Sequence, residues 1–218
     1  MLPNNDRPML IVITGGIASG KSLVSDWFEK KGYRVIYADR IGHECLKSER
    51  VKTVIRKKFG DNVFDNDEVS RKKMAQQVFS SKEKLAQLNA IIHPYIRKKM
   101  SEIIRTSSEK ILIFEIPLLF ENNIETCFDY VISVSADKNV QLKRLLRRDK
   151  IDEDEALKRI NSQLPDEYKR EKADFVIENN GSIDDCICQL SELESRFYKL
   201  TKKQIESLEN KKFPKRVY

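Results

Sequence analysis

The 218-residue sequence predicts an α/β protein in which helices flank a parallel sheet of five strands. Short apolar runs alternate with helical stretches along the chain, as in proteins where helices connect parallel strands. The runs are continuously apolar, which is typical of strands buried on both faces. A highly charged helical stretch at about residues 41–105 interrupts this alternation. It indicates a helical insertion between two strands.

The first elements are a strand in MLIVIT and a helix that starts near Lys21. A second strand, YRVIYAD, ends at Asp39. Asp152 and Glu155 form a capping-box pattern at the start of a later helix. The remaining predicted elements are strands at 110–115, at 129–135 and in ADFVIENNG, and helices at about 137–149, 152–163 and 183–198.

Inside the insertion, Ser80 and Glu83 form another capping-box pattern, for a helix that runs towards Ile92. His93-Pro94 is expected to interrupt this helix, because proline lacks the N–H that a helix interior needs. Pro94 suits the first turn of a following helix. The basic end of the chain, 201–218, is low in apolar residues and is expected to be a frayed extension.

Charge and composition narrow the function classes. Lys and Arg number 41 against 34 Asp and Glu, which gives a net charge of +7 and favours anionic ligands. The charges are interleaved and no RNP-like aromatic motif occurs, so we expect no nucleic-acid partner. No apolar run approaches the ~18 residues of a membrane span, so we expect no membrane partner. Four cysteines without a C-x-x-C pair, and only two histidines, favour free thiols in the cytoplasm over a zinc site.

The segment GGIASGKS, residues 15–22, fits the phosphate-loop pattern G-x-x-x-x-G-K-[ST] between a strand and a helix. Glycines let the backbone curl so that successive N–H groups point at phosphate oxygens, and the helix dipole adds positive potential. Lys21 is expected to reach the β- and γ-phosphates, and Ser22 to offer its hydroxyl to Mg²⁺. The predicted nucleotide-binding residues of this segment are Gly15, Gly16, Ala18, Ser19, Gly20, Lys21, Ser22 and Leu23.

Two acids stand at the ends of predicted strands. Asp39 ends the second strand, where ligands of open α/β sheets bind, and is a candidate to act on an acceptor hydroxyl. Its alternative role is that of a helix N-cap. Glu115 ends the third strand and is a candidate for the Mg²⁺ shell, its alternative being a surface acid at a strand end.

The helix VQLKRLLRRD carries a basic face of Arg144, Arg147 and Arg148 opposite three leucines. One interpretation is a lid that lowers arginines onto the transferring phosphoryl group and excludes water. The other is a solvated charged face.

Several motifs in order resemble the dephospho-CoA kinase family, over about residues 10–195. Besides ITGGIASGKS they are VIYAD, LNAIIHPYIR, IPLLFE, QLKRLLRRD with ALKRINSQ, and ADFVIENNG. The resemblance implies a P-loop kinase that uses ATP and Mg²⁺ to phosphorylate the ribose 3′-hydroxyl of dephospho-CoA. The runner-up is another small-molecule or nucleotide P-loop kinase. A GTPase-like switch is disfavoured because no guanine-reading N-K-x-D occurs.

The resemblance also assigns residues. It implies that Asp39, Lys21 and Arg144 are catalytic and that Asp39, His93 and Arg97 meet the acceptor. Nucleotide contacts extend to Arg144, Arg148 and Asn180, and Ser22 and Glu115 hold the metal. His93 has the alternative role of a buried histidine at a helix break, and His43 has no assigned role.

The implied organisation is one domain over residues 1–200, with a substrate-binding insertion at about 41–105, a lid at about 137–167 and the tail 201–218. The sequence leaves the oligomeric state open and is compatible with a monomer.

The sequence departs from the family pattern at four positions. Tyr37 replaces the first aspartate of V-I-D-A-D, and Glu115 stands where aspartate is common. Leu23 replaces a threonine and keeps the backbone N–H. Ala18 replaces a glycine, which is tolerated if φ there is negative.

Overall fold

The computed structural model describes residues 7–79 and 81–209 and divides into two units. The sheet unit holds the chain up to Ile36 and again from Glu109 onward. The helical unit is Tyr37–Ser108.

The described residues form seven strands and nine α-helices. The strands are β1 (Met9–Gly15), β2 (Arg34–Tyr37), β3 (Phe64–Asp65), β4 (Glu68–Val69), β5 (Ile111–Glu115), β6 (Tyr130–Ser135) and β7 (Phe175–Glu178). The helices are α1 (Lys21–Lys30), α2 (Ala38–Cys45), α3 (Glu49–Phe59), α4 (Arg71–Phe79), α5 (Lys82–Thr106), α6 (Lys138–Asp149), α7 (Glu153–Asn161), α8 (Asp166–Lys172) and α9 (Ile183–Glu209).

The main sheet has five strands in the order β2-β5-β1-β6-β7. Central β1 pairs in parallel with β5 on one side and β6 on the other, and β6 pairs in parallel with β7. The register sets Ile13 opposite Glu115 and Gly15 opposite Val134. The predicted fold class is therefore confirmed, and the C-terminal ends of β1, β5 and β6 lie along one edge.

Both faces of β1 are buried, as its unbroken apolar run predicts. Ile11 and Ile13 pack on one face with Phe28 of α1 and with Leu190 and Phe197 of α9. Full burial of one such side chain is worth about 1.5–3 kcal/mol. The ends of β1 and α1, which flank the glycine-rich loop, are thus held by the main core.

Most sheet-unit elements lie where the sequence predicts them. The predicted cap of α7 is confirmed, because the backbone N–H of Glu155 donates to Asp152 Oδ1 at 2.8 Å. Helix α8 was not predicted. Helix α9 runs to Glu209, so the expectation that the tail is frayed from residue 201 is wrong over the first residues of that segment.

The helical unit has its own core, centred on Cys45, Ile55 and Phe59. It also contains the small hairpin of β3 and β4, which the sequence reading missed because each strand has only two residues. Its turn residues, Asn66 and Asp67, have φ of +47° and +65°. Positive φ at both central positions is the geometry of a type I′ turn, for which Asn and Asp are suited.

The predicted end of the second strand is wrong by two residues. Strand β2 ends at Tyr37, and α2 begins at Ala38. Asp39 is consequently in the first turn of α2, where a carboxylate is favoured by the positive end of the helix dipole.

The predicted break at His93-Pro94 is also wrong, because α5 continues through Pro94 to Thr106. The predicted cap residue Ser80 lies outside the described residues, and the N-cap is Ser81, whose side chain accepts from the N–H of Lys84 at 3.4 Å. Packing within the unit sustains the helix. Gly42 of α2 faces α5 so closely that a Cβ there would lie 3.4 Å from Ile96 Cδ1.

Helix α5 continues through Pro94, but the proline should lower its stability. We expect Pro94→Ala to raise the free energy of unfolding by about 1–3 kcal/mol, because alanine restores the N–H and removes the ring clash. Urea unfolding followed by circular dichroism measures this. The matched control is Lys98→Ala, at an exposed position one turn later, which should change stability by less than about 0.5 kcal/mol. Equal stabilities of Pro94→Ala and wild type would contradict the prediction.

Candidate active site

The loop of residues 15–22 connects β1 to α1, as predicted. Gly15 is the last residue of β1, and Gly20 precedes α1 with φ of +103°. The free N–H groups of the first turn of α1 and the positive end of its dipole therefore lie where the loop ends. Lys21 Nζ donates to the carbonyl oxygens of Gly15 at 3.0 Å and Gly16 at 2.9 Å, which holds its ammonium against the loop.

Two glycines are required by close contacts. A Cβ on Gly15, where φ is +145°, would lie 2.2 Å from the backbone oxygen of Val134 on β6. A Cβ on Gly20 would lie 1.9 Å from Asn179 Nδ2. The loop can thus lie against β6 and the end of β7 only with glycine at these positions.

Ala18 has φ of +56°, so the expectation of a negative φ there is wrong. The left-handed conformation costs a residue with a Cβ about 1–2 kcal/mol. The tight curl of the loop imposes this conformation, and the surrounding contacts must offset its cost.

Side chains from distant parts of the sheet unit hydrogen-bond to backbone groups of the loop. Gln163 Oε1 accepts from the N–H of Ile17 at 2.7 Å. Buried Asn179 donates from Nδ2 to the carbonyl oxygen of Ser19 at 2.7 Å. Arg144 donates to the same oxygen at 3.3 Å and to the carbonyl of Asn179 at 2.9 Å.

The structure brings Arg144 to the loop, and it places two other predicted nucleotide ligands against different partners. Arg148 Nε donates to Asp149 Oδ1 at 2.7 Å, which lowers the pKa of Asp149. Asn180 accepts from the N–H of Asp137 at 2.7 Å through its side chain. The sequence does not predict that Gln163 and Asn179 contact the loop, although Gln163 ends the ALKRINSQ motif and Asn179 lies within ADFVIENNG.

The predicted metal ligands both lie in the sheet unit. Ser22 stands exposed in the first turn of α1, and Glu115 ends β5, where its Oε2 accepts from Ser25 Oγ at 2.5 Å. Hydroxyl and carboxylate oxygens are the donors that Mg²⁺ prefers. Among the described residues there is no cluster of three or more His, Cys, Asp or Glu that could hold a metal. This donor set fits Mg²⁺ bound chiefly through phosphates and water, as is usual in nucleotide sites.

A cavity of about 380 Å³ adjoins the loop at Gly16. Its polar lining includes Gln141, Gln163 and Asp166, and burial raises the pKa of the Asp166 carboxyl. Three further charged side chains line the cavity, Asp137, Lys138 and Glu167, so amides and charges of both signs lie beside the first turn of the loop.

In the helical unit, Asp39 and His43 lie one turn apart on α2. Burial lowers the pKa of His43, the charge of Arg71 lowers it further, and Asp39 opposes both effects. Tyr37, at the family's first aspartate position, has its ring under the Arg40 guanidinium at 3.8 Å. Tyr37 therefore contacts the Arg40 cation through its aromatic ring, and no carboxylate stands at this position.

His93 and Arg97 likewise lie one turn apart, on α5. Burial and then the charge of Arg97 lower the pKa of His93. Both effects favour the uncharged imidazole, so the permanent positive charge of this pair belongs to Arg97. Among the described residues, no helix is both long enough and apolar enough to cross a membrane.

Comparison with known proteins supports one family. A family model described as dephospho-CoA kinase matches residues 9–185. The dephospho-CoA kinase of Fusobacterium nucleatum is 43% identical over 178 residues, which cover 81% of this chain and 92% of that protein. That of Arabidopsis thaliana is 41% identical over 81% of this chain and 78% of that protein.

Solved structures agree with these matches. A protein from Thermus thermophilus has a TM-score of 0.78 at 31% identity, over 87% of this chain and 97% of that one. Dephospho-CoA kinase from Campylobacter jejuni has a TM-score of 0.66 at 30% identity, over the same shares. Every site residue described above lies within the region that the family model matches.

The close approach of Gly15 to β6 predicts a severe effect of Gly15→Ala. We expect a loss of about 2–5 kcal/mol in the free energy of unfolding, together with weakened ADP binding, because a Cβ meets backbone that cannot rotate away. Denaturant unfolding and calorimetric ADP titration measure the two effects.

Gly32→Ala is the control for Gly15→Ala. Its φ is +89°, but within 4 Å its Cβ would meet none of the described residues outside its own neighbours. Its free energy of unfolding should fall only by the conformational cost of about 1–2 kcal/mol, and its ADP binding should be unchanged. Equal losses in the two variants would show that contact with Val134 does not matter.

Proposed function

The chain belongs to the dephospho-CoA kinase family, and from this we propose that it transfers the γ-phosphoryl group of ATP to the ribose 3′-hydroxyl of dephospho-CoA, the last step of coenzyme A synthesis. The resemblance inferred from the sequence is confirmed by the family match. The observation that carries the activity is the phosphate loop, held in shape between β1 and α1 within the matched region.

We propose that the loop amides, the N-terminus of α1 and Lys21 bind the ATP phosphates. The ammonium of Lys21 already lies over the loop, so it can move from two carbonyl oxygens to phosphate oxygens without leaving it. Phosphoryl transfer is catalysed mainly by positioning and charge neutralisation, which these groups supply. Arg144 adds a positive charge beside the Ser19 carbonyl, where it supports the loop and neutralises phosphate charge.

We propose Mg²⁺ as the metal that accompanies ATP, with Ser22 and Glu115 as the residues that would hold it, directly or through water. When bound it would neutralise charge on the phosphates. Ser25 orients the Glu115 carboxylate through its 2.5 Å hydrogen bond. Glu115 is thus directed by the same helix that presents Ser22.

We propose that the helical unit supplies the acceptor residues. Asp39, in the first turn of α2, orients the ribose hydroxyl or accepts its proton. Arg97 supplies positive charge for the anionic part of dephospho-CoA, and neutral His93 supplies hydrogen bonding.

The proposed organisation follows the same scheme. Residues 1–200 form one kinase domain, with a substrate-binding insertion at about 41–105 and a lid at about 137–167. Within that segment, Asp149 forms ion pairs with both Arg148 and Arg159, and the pair with Arg159 connects α6 to α7. We propose a cytoplasmic location, as suits a kinase of a small-molecule coenzyme.

The proposed acceptor is tested by ADP release from ATP and Mg²⁺ with dephospho-CoA, adenosine, AMP or shikimate offered separately. We expect ADP release to depend on dephospho-CoA and coenzyme A to appear in equal amount. Turnover with another acceptor only would identify a different small-molecule kinase. ATP binding without turnover on any acceptor would contradict a kinase function.

Asp39→Asn tests the acceptor role. It keeps the size of the side chain and removes its charge, so we expect turnover to fall by about 10²–10⁴-fold while ADP affinity stays unchanged. Glu44→Gln, an exposed change on the same helix, is the control and should leave turnover near wild type. Near-wild-type turnover of Asp39→Asn would exclude the assigned role.

A further inference from the structure

We propose that Gln163 is a positioning residue for nucleotide binding, which holds the phosphate loop from outside through the backbone N–H of Ile17. The inference rests on the proposed function, because it concerns the ATP site of that kinase. It assigns a role in the site to the turn between α7 and α8.

The contact is short and specific. Gln163 Oε1 accepts from Ile17 N at 2.7 Å, across 146 residues of sequence. Gly16, the preceding residue, lies under a second glutamine, since a Cβ there would be 2.3 Å from Nε2 of Gln141. Gln141 is only 5% exposed. Two amide side chains therefore confine the first turn of the loop.

Gln163 is itself held in place by a buried ion pair. The next residue, Leu164, donates its N–H to Glu121 Oε1 at 3.1 Å. The same oxygen lies 2.8 Å from Lys169 Nζ, and the Lys169 side chain is 0% exposed. The backbone next to Gln163 is thus tied to a carboxylate that also pairs with a buried lysine, which anchors the turn.

The loop is supported in the same way on its other side, where Asn179 donates to the carbonyl of Ser19. Between the two supports lies Ala18, whose positive φ persists only if the surroundings impose it. Releasing Ile17 would let the loop leave this conformation. The apparent nucleotide affinity then falls by the fraction of molecules that keep the binding-competent loop.

Gln163→Met tests the proposal, because methionine is similar in length and cannot accept this hydrogen bond. We expect ADP affinity and the KM for ATP to worsen by about three- to tenfold, as for loss of one hydrogen bond. The KM for dephospho-CoA and kcat should stay within twofold of wild type. Gln163→Asn, which keeps the amide but is one methylene too short, should behave alike and serves if the methionine variant fails to fold.

Ser162→Ala is the matched control, since Ser162 is exposed in the same turn and its hydroxyl bonds only locally, to the Arg159 carbonyl. It should leave ADP affinity unchanged. ADP binding needs no acceptor, so this result is independent of whether dephospho-CoA is the true substrate. Unchanged ADP affinity in both Gln163 variants, or a fall in kcat alone, would overturn the proposal.

Discussion

The site depends on one constraint, which is that a phosphate loop must turn its amides inward and still satisfy the backbone groups left outside. Buried N–H and C=O groups that lack partners are costly. Here the N–H of Ile17 and the carbonyl of Ser19 are satisfied by Gln163, Asn179 and Arg144. The parallel sheet brings these distant residues to the end of β1. The fold is therefore needed to complete the loop as well as to carry it.

In the helical unit, the packing of two helices positions the candidate site residues. Its own core fixes α2 and α5, and the helix period then sets Asp39 with His43, and His93 with Arg97, one turn apart. Partial burial and the charge of Arg97 lower the pKa of His93 and so favour the neutral imidazole. In the proposed acceptor site, this pair would offer an anionic ligand one fixed charge and one hydrogen-bonding neighbour.

Local patterns predicted the parts of this molecule that local physics determines. The phosphate loop, the central strands β1, β5 and β6 and the Asp152 cap depend on residues close in sequence, and they lie where predicted. Local patterns do not predict the continuous helix through Pro94, because packing in the unit outweighs the missing hydrogen bond. They also do not predict the side chains that support the loop. Gln163 follows α7 and ends the ALKRINSQ motif, but the motif does not show what the side chain contacts, and only the tertiary fold pairs it with Ile17.

The chemistry of the supports matters as much as their position. A carboxylate at Gln163 would also accept the Ile17 N–H, but it would set a negative charge close to the bound phosphates and oppose their binding. An amide satisfies the backbone and adds no net charge. The charged support, Arg144, has the sign that phosphates favour, while the negative charge of Glu121 is matched by Lys169 behind the turn. The side chains that hydrogen-bond to the outer part of the loop are therefore two neutral amides and one cation.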